Sequence, residues 1–558
     1  WFVQDRAYYM KWQKGQKTIV LADTFSIFPF SLSRIGEFAG IEKTSMPDWS
    51  ASDNEWFSYC ERDVVVLSKA LQKYFSFIHD NDLGNFAITL PGQAFNAFRH
   101  RFMKEKIYIH NIDPVIDAEV AAYYGGRTEA WYIGKVREKL YYLDVNSMYP
   151  YVMRNREYPV QYIGTWPNPT LRELKKLCKK YAVIAHLRLA VKEPILPYRS
   201  DKVIFPVGSF SGWYATPEVV LALEKNSVTL SDKVFVYRKS LLFNDYVDFF
   251  YNIKNTAKQS GDKATYVMSK LFLNSLYGKF GQRTAEMVEA NPNEISDDEI
   301  DENMVSTANG DVEYIRFAGK VYRKERREPS YNSFIAIAAH VTSYARVHLY
   351  RHIERAKPEN VYYMDTDSLF VNKKGLKNLT PWINNSRLGY LKGEKESGNV
   401  TILGAKSYIW NDERKIKGIP YSSIEVAPGA YQYLEFMKFK TKLRKGLLNN
   451  QIVQTKTRTL SGVYDKGKVT PSGRVIPLEV KEPANLKEIQ KRTKIWIELI
   501  KKSGIFGNTL VKTDDSYYRV KSNPYYDEIR KLYGEVTPKT IKQYARRKAE
   551  EELYLFNS

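Results

Sequence analysis

Cysteine is nearly absent. Cys60 and Cys178 are the only two in 558 residues, which excludes a disulfide framework and a cysteine-built zinc site and fits a reducing compartment. No apolar run approaches the ~20 residues that a helical membrane span requires, and no signal-peptide pattern is present, so no membrane partner is expected. Internal repeats and long low-complexity tracts are also missing. An initiator Met is lacking too: residue 1 is Trp, and the chain is therefore expected to be an N-terminally truncated reading frame. Acids fall short of bases, 63 against 85, which leaves a net charge of +22 and a pI near 9.4.

The chain is too long for one ordinary core, so several subdomains are expected. Its basicity and its 42 tyrosines point to nucleic acid as the partner, although charge alone does not separate that from an anionic membrane surface.

The densest chemistry is Tyr363-Met364-Asp365-Thr366-Asp367-Ser368. Strand-forming residues run into and out of it over 361–371, which predicts a tight β-hairpin with two carboxylates at its tip. Two acids so close repel unless a cation sits beside them, and a divalent metal is the usual solution. A solvated turn is the alternative reading of these six residues.

Other stretches gain meaning beside it. Residues 1–21 read as edge strands, followed by a turn at Asp23-Thr24-Phe25 and a short helix. Ser52 and Glu55 predict a capping box for a helix over 53–78, on which Tyr59 and Asp63 share a face; a surface pair is the alternative. A second amphipathic helix is expected over 91–110. After it, Tyr123-Tyr124-Gly125-Gly126-Arg127 offers a glycine turn that a backbone or phosphate can approach closely. Residues 139–143 form a strand that delivers Asp144 to a strand–helix junction, with Pro150 in the first helical turn.

A helix over 262–277, stopped by Gly278, puts Lys270, Asn274 and Tyr277 on one stripe suited to a triphosphate and a base. Residues 284–314 carry ten acids and no Lys or Arg, which marks an exposed insertion. A helix over 333–355 sets Thr342 and Arg346 on one face. Between Phe436 and Tyr464 lie seven basic residues and no acid, interleaved with Met437, Phe439, Leu443 and Leu447, a pattern suited to tracking phosphates. A charged helix over 539–552, capped by Thr537 and Pro538, closes the chain.

Asp144 and the Asp365/Asp367 pair lie on separate strand ends. Phosphoryl transfer by two metals about 3.5–4 Å apart needs such carboxylates brought together. With the Lys270 helix and the basic surface, the set reads as a nucleotide-polymerising enzyme.

The motifs around Asp144 to Pro150, Lys270 to Gly278 and Tyr363 to Ser368 resemble, in order, the three polymerase motifs of family B DNA polymerases. More narrowly, the chain is similar to the protein-primed branch of phages, adenoviruses and linear plasmids over roughly residues 1–480. Tyr123 to Gly126 matches its YxGG turn, Thr342 to Arg346 its TxxAR motif and Lys406 to Tyr408 its KxY motif.

The resemblance implies an α+β, right-hand polymerase fold preceded by the end of an RNase H-like 3′–5′ exonuclease domain. It implies this layout: 1–95 partial exonuclease, 96–155 linker and first palm part, 156–245 an insertion for the terminal protein, 246–281 fingers. The remainder divides into 282–330 a second, acidic insertion, 331–430 the rest of the palm, 431–484 thumb and 485–558 an extension. It implies two Mg2+ ions (or Mn2+) on Asp144, Asp367 and the Val145 carbonyl, with Asp365 in support. Tyr149 would exclude a 2′-hydroxyl, Lys254 and Lys270 would hold the triphosphate, and Asn274 and Tyr277 would line the nascent base pair. Tyr123, Gly125, Gly126, Thr342, Arg346, Lys406 and Tyr408 would position DNA.

The implied partners are a DNA primer-template, dNTPs and a terminal protein. The implied place is a host cytoplasm, or mitochondria for a fungal linear plasmid. Tyr59 and Asp63 fit the third exonuclease motif, Thr24, Phe25 and Phe28 its single-strand-binding motif, and Lys43 its assisting lysine. The other exonuclease acids are not in the chain. One carboxylate cannot hold two metals, so polymerisation without efficient 3′ excision is the expectation. A nucleic-acid-primed family B enzyme, an inactive DNA-binding relative and a nuclease using the same acids are the competing readings.

Overall fold

The computed structural model describes residues 2–4, 7–200, 202–289, 305–306, 313–317, 320–437, 452–460, 462–481, 493–500, 505–512, 517–521, 524–534 and 536–555. Its centre is a five-stranded antiparallel sheet. The strand order is Leu391–Ser397, Leu140–Val145, Ser368–Val371, Val361–Asp365, Thr128–Ala130. Side chains alternate between its faces, and both faces are buried. Leu143, Val145, Met364 and Leu369 join Leu349 and Ile353 of the helix Ile335–Ala356 on one side. Leu140, Tyr363 and Phe370 meet Tyr408 and Trp410 of a second sheet on the other.

The Ile335–Ala356 helix is the spine of the molecule. Its alanine-rich first half is buried, and small side chains there let neighbouring helices approach. It packs against the helices Asp113–Ala122, Met148–Asn155, Thr216–Glu224 and Lys263–Phe280.

Residues 156–245 fold into a sheet of strands Glu157–Pro167, Ala182–Val191, Val207–Ala215 and Val228–Leu241, with a core of its own. A fifth strand, Glu479–Lys481, adds in parallel beside Val207–Ala215. Two helices, Asn244–Ser260 and Lys263–Phe280, form an antiparallel pair joined by Gly261 in the left-handed region (φ 76°) and capped by Asp262. The strands Arg283–Glu289, Lys320–Pro329, Glu313–Phe317 and Val305–Ser306 make an antiparallel sheet. The densest acidic part, 296–302, lies outside the described residues, as do the basic positions 438–445 with Phe439, Leu443 and Leu447.

Several expected elements form as read. The N-terminal strands are Ala7–Lys14 and Lys17–Ala22, the capping-box helix runs Asp53–Asp80 with both box bonds made, and the last helix runs Pro538–Leu555. Two bounds differ. The helix expected over 91–110 spans Leu90–Ala97 and ends in a π-turn at Phe102, because Tyr108 is drawn into extended pairing with the Glu157–Pro167 strand. The helix expected to stop at Gly278 continues to Phe280 and stops at Gly281. Phe280 is buried against Phe95, Phe98 and Phe243, and that burial holds the last turn. No described helix is long and apolar enough to cross a membrane.

Gly208 has φ 97°, and a Cβ there would sit 2.2 Å from the Val480 carbonyl oxygen. Gly208→Ala should therefore detach the Glu479–Lys481 strand at a cost above about 1 kcal/mol. Hydrogen exchange should report loss of protection in 479–481 with the Val207–Ala215/Ala182–Val191 pairing retained.

Candidate active site

The two central strands bring the acids together. Asp144 faces Ser368 in register, and the Val145 N–H donates to the Asp367 carbonyl at 2.8 Å. The hairpin turns through Thr366 in the left-handed region (φ 60°), and the Asp367 N–H closes onto the Asp365 carbonyl at 2.7 Å. Asp365 is the carboxylate that protein groups hold: Thr128 Oγ1 donates to its Oδ1 at 2.9 Å, Thr366 Oγ1 at 3.2 Å, and Lys406 Nζ lies 3.5 Å away.

Asp144 and Asp367 are half-buried and carry the strain of their charges. Burial, then the charges of Asp367 and Glu394, push the Asp144 carboxyl up to about 7 against the pull of Lys392 and Lys270. Burial and the Asp365 charge push Asp367 up to about 6, opposed by its backbone hydrogen bond and by Lys406 and Lys415. Two carboxylates that destabilise each other's charge fit a hard divalent cation. Among the described residues no group of three or more His, Cys, Asp or Glu could hold a metal. A cation held there would need backbone carbonyls, waters or substrate oxygens besides these carboxylates, the ligand set that Mg2+-type ions accept.

Cations and rings face this pair. Lys270 and Asn274 are exposed on the Lys263–Phe280 helix, with Tyr277 half-buried beyond them. Lys270 is close enough to favour the charged form of Asp144. Lys254 Nζ lies 3.3 Å from Ser147 Oγ, and burial together with Lys270 and Lys258 pulls its ammonium down to about 8. The Tyr149 and Tyr277 rings stack 4.4 Å apart.

Other expected site residues work from behind. Arg346 is 3% exposed. Its guanidinium grips Glu218 twice, at 2.8 and 2.9 Å, and donates to the Tyr124 and Gly125 carbonyls at 2.7 and 2.8 Å. Thr342 is buried and donates to the Ala338 and Ala339 carbonyls. Both turn their donors inward: Thr342 onto its own helix, and Arg346 onto Glu218 and the Tyr124–Gly125 backbone.

The Tyr123 to Arg127 turn reaches the Asp365–Asp367 hairpin. The Thr366 N–H donates to the Arg127 carbonyl at 2.7 Å, and a Cβ on Gly126 would sit 2.8 Å from Thr366 side-chain atoms. Gly126 thus admits the hairpin, whereas a Cβ on Gly125 would meet open space. A Cβ on Gly281 would strike the Tyr123 ring at 2.6 Å, so the same turn also touches the end of the Lys263–Phe280 helix. Tyr408 packs inside against Tyr363 and Phe370, while the Lys406 N–H donates to the Tyr363 hydroxyl at 3.0 Å and its ammonium faces Asp365.

Farther off, Lys43 donates to the Tyr59 hydroxyl at 2.6 Å and pairs with Asp63 at 3.0 Å, so the three exonuclease-like residues converge. Thr24 and Phe25 lie on a short 3-10 turn with the Phe25 ring exposed. Sequence reasoning missed Glu218, Thr128 and the Lys392/Glu394 pair. The alternating charges of Leu391–Ser397, one strand over from Asp144, were the available signal for the last of these.

Removing one partner of a buried ion pair leaves the other charge unpaired. Glu218→Ala should therefore lower stability by about 3–5 kcal/mol, whereas the apolar double replacement Glu218→Leu/Arg346→Met should recover most of it. Urea unfolding of the three proteins checks this.

The family described as DNA polymerase type B, organellar and viral, matches residues 41–358. A probable DNA polymerase of Neurospora intermedia is 28% identical over 410 residues, which covers 68% of this chain and 39% of that protein. The DNA-directed DNA polymerase of Enterobacteria phage PRD1 is 25% identical over 402 residues, covering 69% of this chain and 65% of that one. The chain spans only 30–39% of the length of the relatives from Neurospora, Ascobolus and Podospora. A solved structure of phi29 DNA polymerase with primer-template DNA and incoming nucleotide superposes with a TM-score of 0.61 at 16% identity, covering 81% of this chain and 82% of that one. The fold is thus the α+β polymerase fold, and the chain belongs to the type B DNA polymerases of organelles and viruses.

Proposed function

We propose that the chain is a DNA-directed DNA polymerase of the protein-primed kind, which adds dNTPs to a primer 3′-hydroxyl or to a terminal-protein hydroxyl in copying a viral or linear-plasmid genome. The observation that carries this reading is the placement of Asp144 and Asp367 side by side, with Lys270 acting on Asp144 and Lys254 against Ser147, three residues along. The names of the relatives and the DNA-bound state of the phi29 structure support the same substrates.

Asp144, Asp367 and the Val145 carbonyl would hold two divalent ions, Mg2+ or Mn2+, which supply activation of the attacking oxygen and charge relief for the leaving pyrophosphate. Asp365, fixed by Thr128, Thr366 and Lys406, keeps the hairpin tip in place and adds negative potential. Lys254 and Lys270 bind triphosphate oxygens as point charges. The Tyr149/Tyr277 stack would form a floor for the sugar and base, with Tyr149 excluding a 2′-hydroxyl as the family resemblance implies. The basic balance of the chain favours a tracked duplex.

A nuclease using the same acids has no need of Lys254, Lys270 and the tyrosine stack, and an inactive relative has no need of the intact acid pair. Primer extension separates the readings. Asp367→Ala should abolish extension while leaving duplex binding within about twofold, and extension retained by that variant contradicts the proposal. Gly126→Ala, which pushes on Thr366, should slow extension by about a hundredfold through displacement of the tip.

The pH profile follows from the same groups. Below about 7 and 6, Asp144 and Asp367 take up protons and lose their hold on cations, so extension falls on the acid side. Above about 8, Lys254 loses its charge and its grip on the triphosphate, so the KM for dNTP rises. Lys254→Arg should remove the alkaline limb and keep the acid one, because a guanidinium does not titrate in this range.

A further inference from the structure

We propose that the far side of the spine helix carries a second ligand site, a pocket that takes a nucleoside monophosphate with its phosphate between Arg156 and Arg355 and its base against Tyr344 and Trp382. The cavity measures about 480 Å3 and lies among the helices Met148–Asn155, Thr216–Glu224 and Ile335–Ala356. From the spine helix it is lined by Tyr344, Val347, His348, Arg351 and Arg355, a single stripe at helical spacing. None of Asp144, Tyr149, Lys254, Lys270, Tyr277 and Asp367 is among its lining residues. The pocket is therefore separate from the polymerase site, and its existence does not depend on that reading.

Its charge is unbalanced. Lys239 pairs with Glu157 at 2.9 Å, and Arg351 pairs with Glu224 and Glu354. Arg156 and Arg355 have no carboxylate within ion-pair distance among the described residues. Arg355 instead lies 3.6 Å over the Trp382 ring, and Arg156 lies 5.7 Å from the Tyr344 ring centre. Burial and the nearby Arg351 hold the Arg355 guanidinium below its ordinary range. Burial, then Arg355 and Arg156, also pull the His348 imidazole down to about 4. Arg355 also lies 3.5 Å from His352 Nδ1, and two guanidiniums without a carboxylate, both close enough to act on His348, form a donor pair that a phosphate accepts, since the planar fork bonds two oxygens at once.

The rest of the pocket asks for a ring. Tyr151, Tyr344 and Trp382 line it together with the apolar Val152, Leu221 and Val347. Aromatic and guanidinium planes are the surfaces on which bases stack. The volume lies in the range of small-molecule sites and exceeds what an inorganic phosphate fills.

Binding of dAMP to the full chain in excess EDTA, in an Asp144→Asn/Asp367→Asn background, tests this without the catalytic metals. Calorimetry should show saturable dAMP binding, with inorganic phosphate and deoxyadenosine each at least about tenfold weaker. Arg156 is exposed at the mouth, so Arg156→Ala should keep the far-UV circular dichroism spectrum and weaken dAMP by about tenfold, and Arg355→Lys should weaken it too. Bound phosphate should also raise the His348 pKa seen by NMR, with His348→Gln assigning the signal. The proposal is overturned by no saturable dAMP binding up to about 1 mM, by equal affinity for inorganic phosphate, or by unchanged affinity in Arg156→Ala.

Discussion

Two like charges forced together, Asp144 and Asp367, are the constraint around which the molecule is built. Adjacent antiparallel strands place them side by side, and the half-buried setting raises the cost of ionising both. A sheet covered on both faces tolerates such a pair only at its open end, where a cation and substrate oxygens can take the charge. The arrangement is a stored demand for positive charge, and neighbouring lysines answer it. Lys406 answers at Asp365, Lys392 and Lys270 beside Asp144, and Lys254 against Ser147.

Holding that pair depends on a turn that carries no catalytic group. The Tyr123 to Arg127 segment meets the hairpin through the Arg127 carbonyl and the bare face of Gly126. Arg346 fixes the segment from behind through two carbonyls, and Glu218 fixes Arg346. Glu218 belongs to the sheet-and-helix layer of 156–245, so that layer is tied mechanically to the active turn. A buried ion pair of this kind contributes little net stability against an apolar replacement, but it fixes one geometry. Fixing a geometry is what a site that needs sub-ångström placement of carboxylates requires.

What could be read from the sequence was local. The Asp365–Asp367 hairpin follows from period-two apolar flanks and a tight turn, and the stripe of Lys270, Asn274 and Tyr277 follows from helical spacing. The capping box at Ser52 and Glu55 and the strand-end position of Asp144 are likewise decided within a few residues. What could not be read depended on distant partners. Phe280 extends its helix past Gly278 because three other phenylalanines bury it. For Arg346 the motif implied a DNA-positioning role, while its partner Glu218, 128 positions earlier, had no local signal. Gly126 read as a place for a ligand's approach, and the partner that approaches is Thr366 of the same chain.

In the proposed mechanism Asp144 and Asp367 bind metal directly, while Asp365 supports the hairpin that carries them. Manganese binding, followed by electron paramagnetic resonance on the full chain with each acid replaced in turn by Asn, tests it most directly. Asp144→Asn and Asp367→Asn should each weaken binding by at least about tenfold, and Asp365→Asn should weaken it less. Loss of binding in Asp365→Asn with full binding in Asp367→Asn would contradict it.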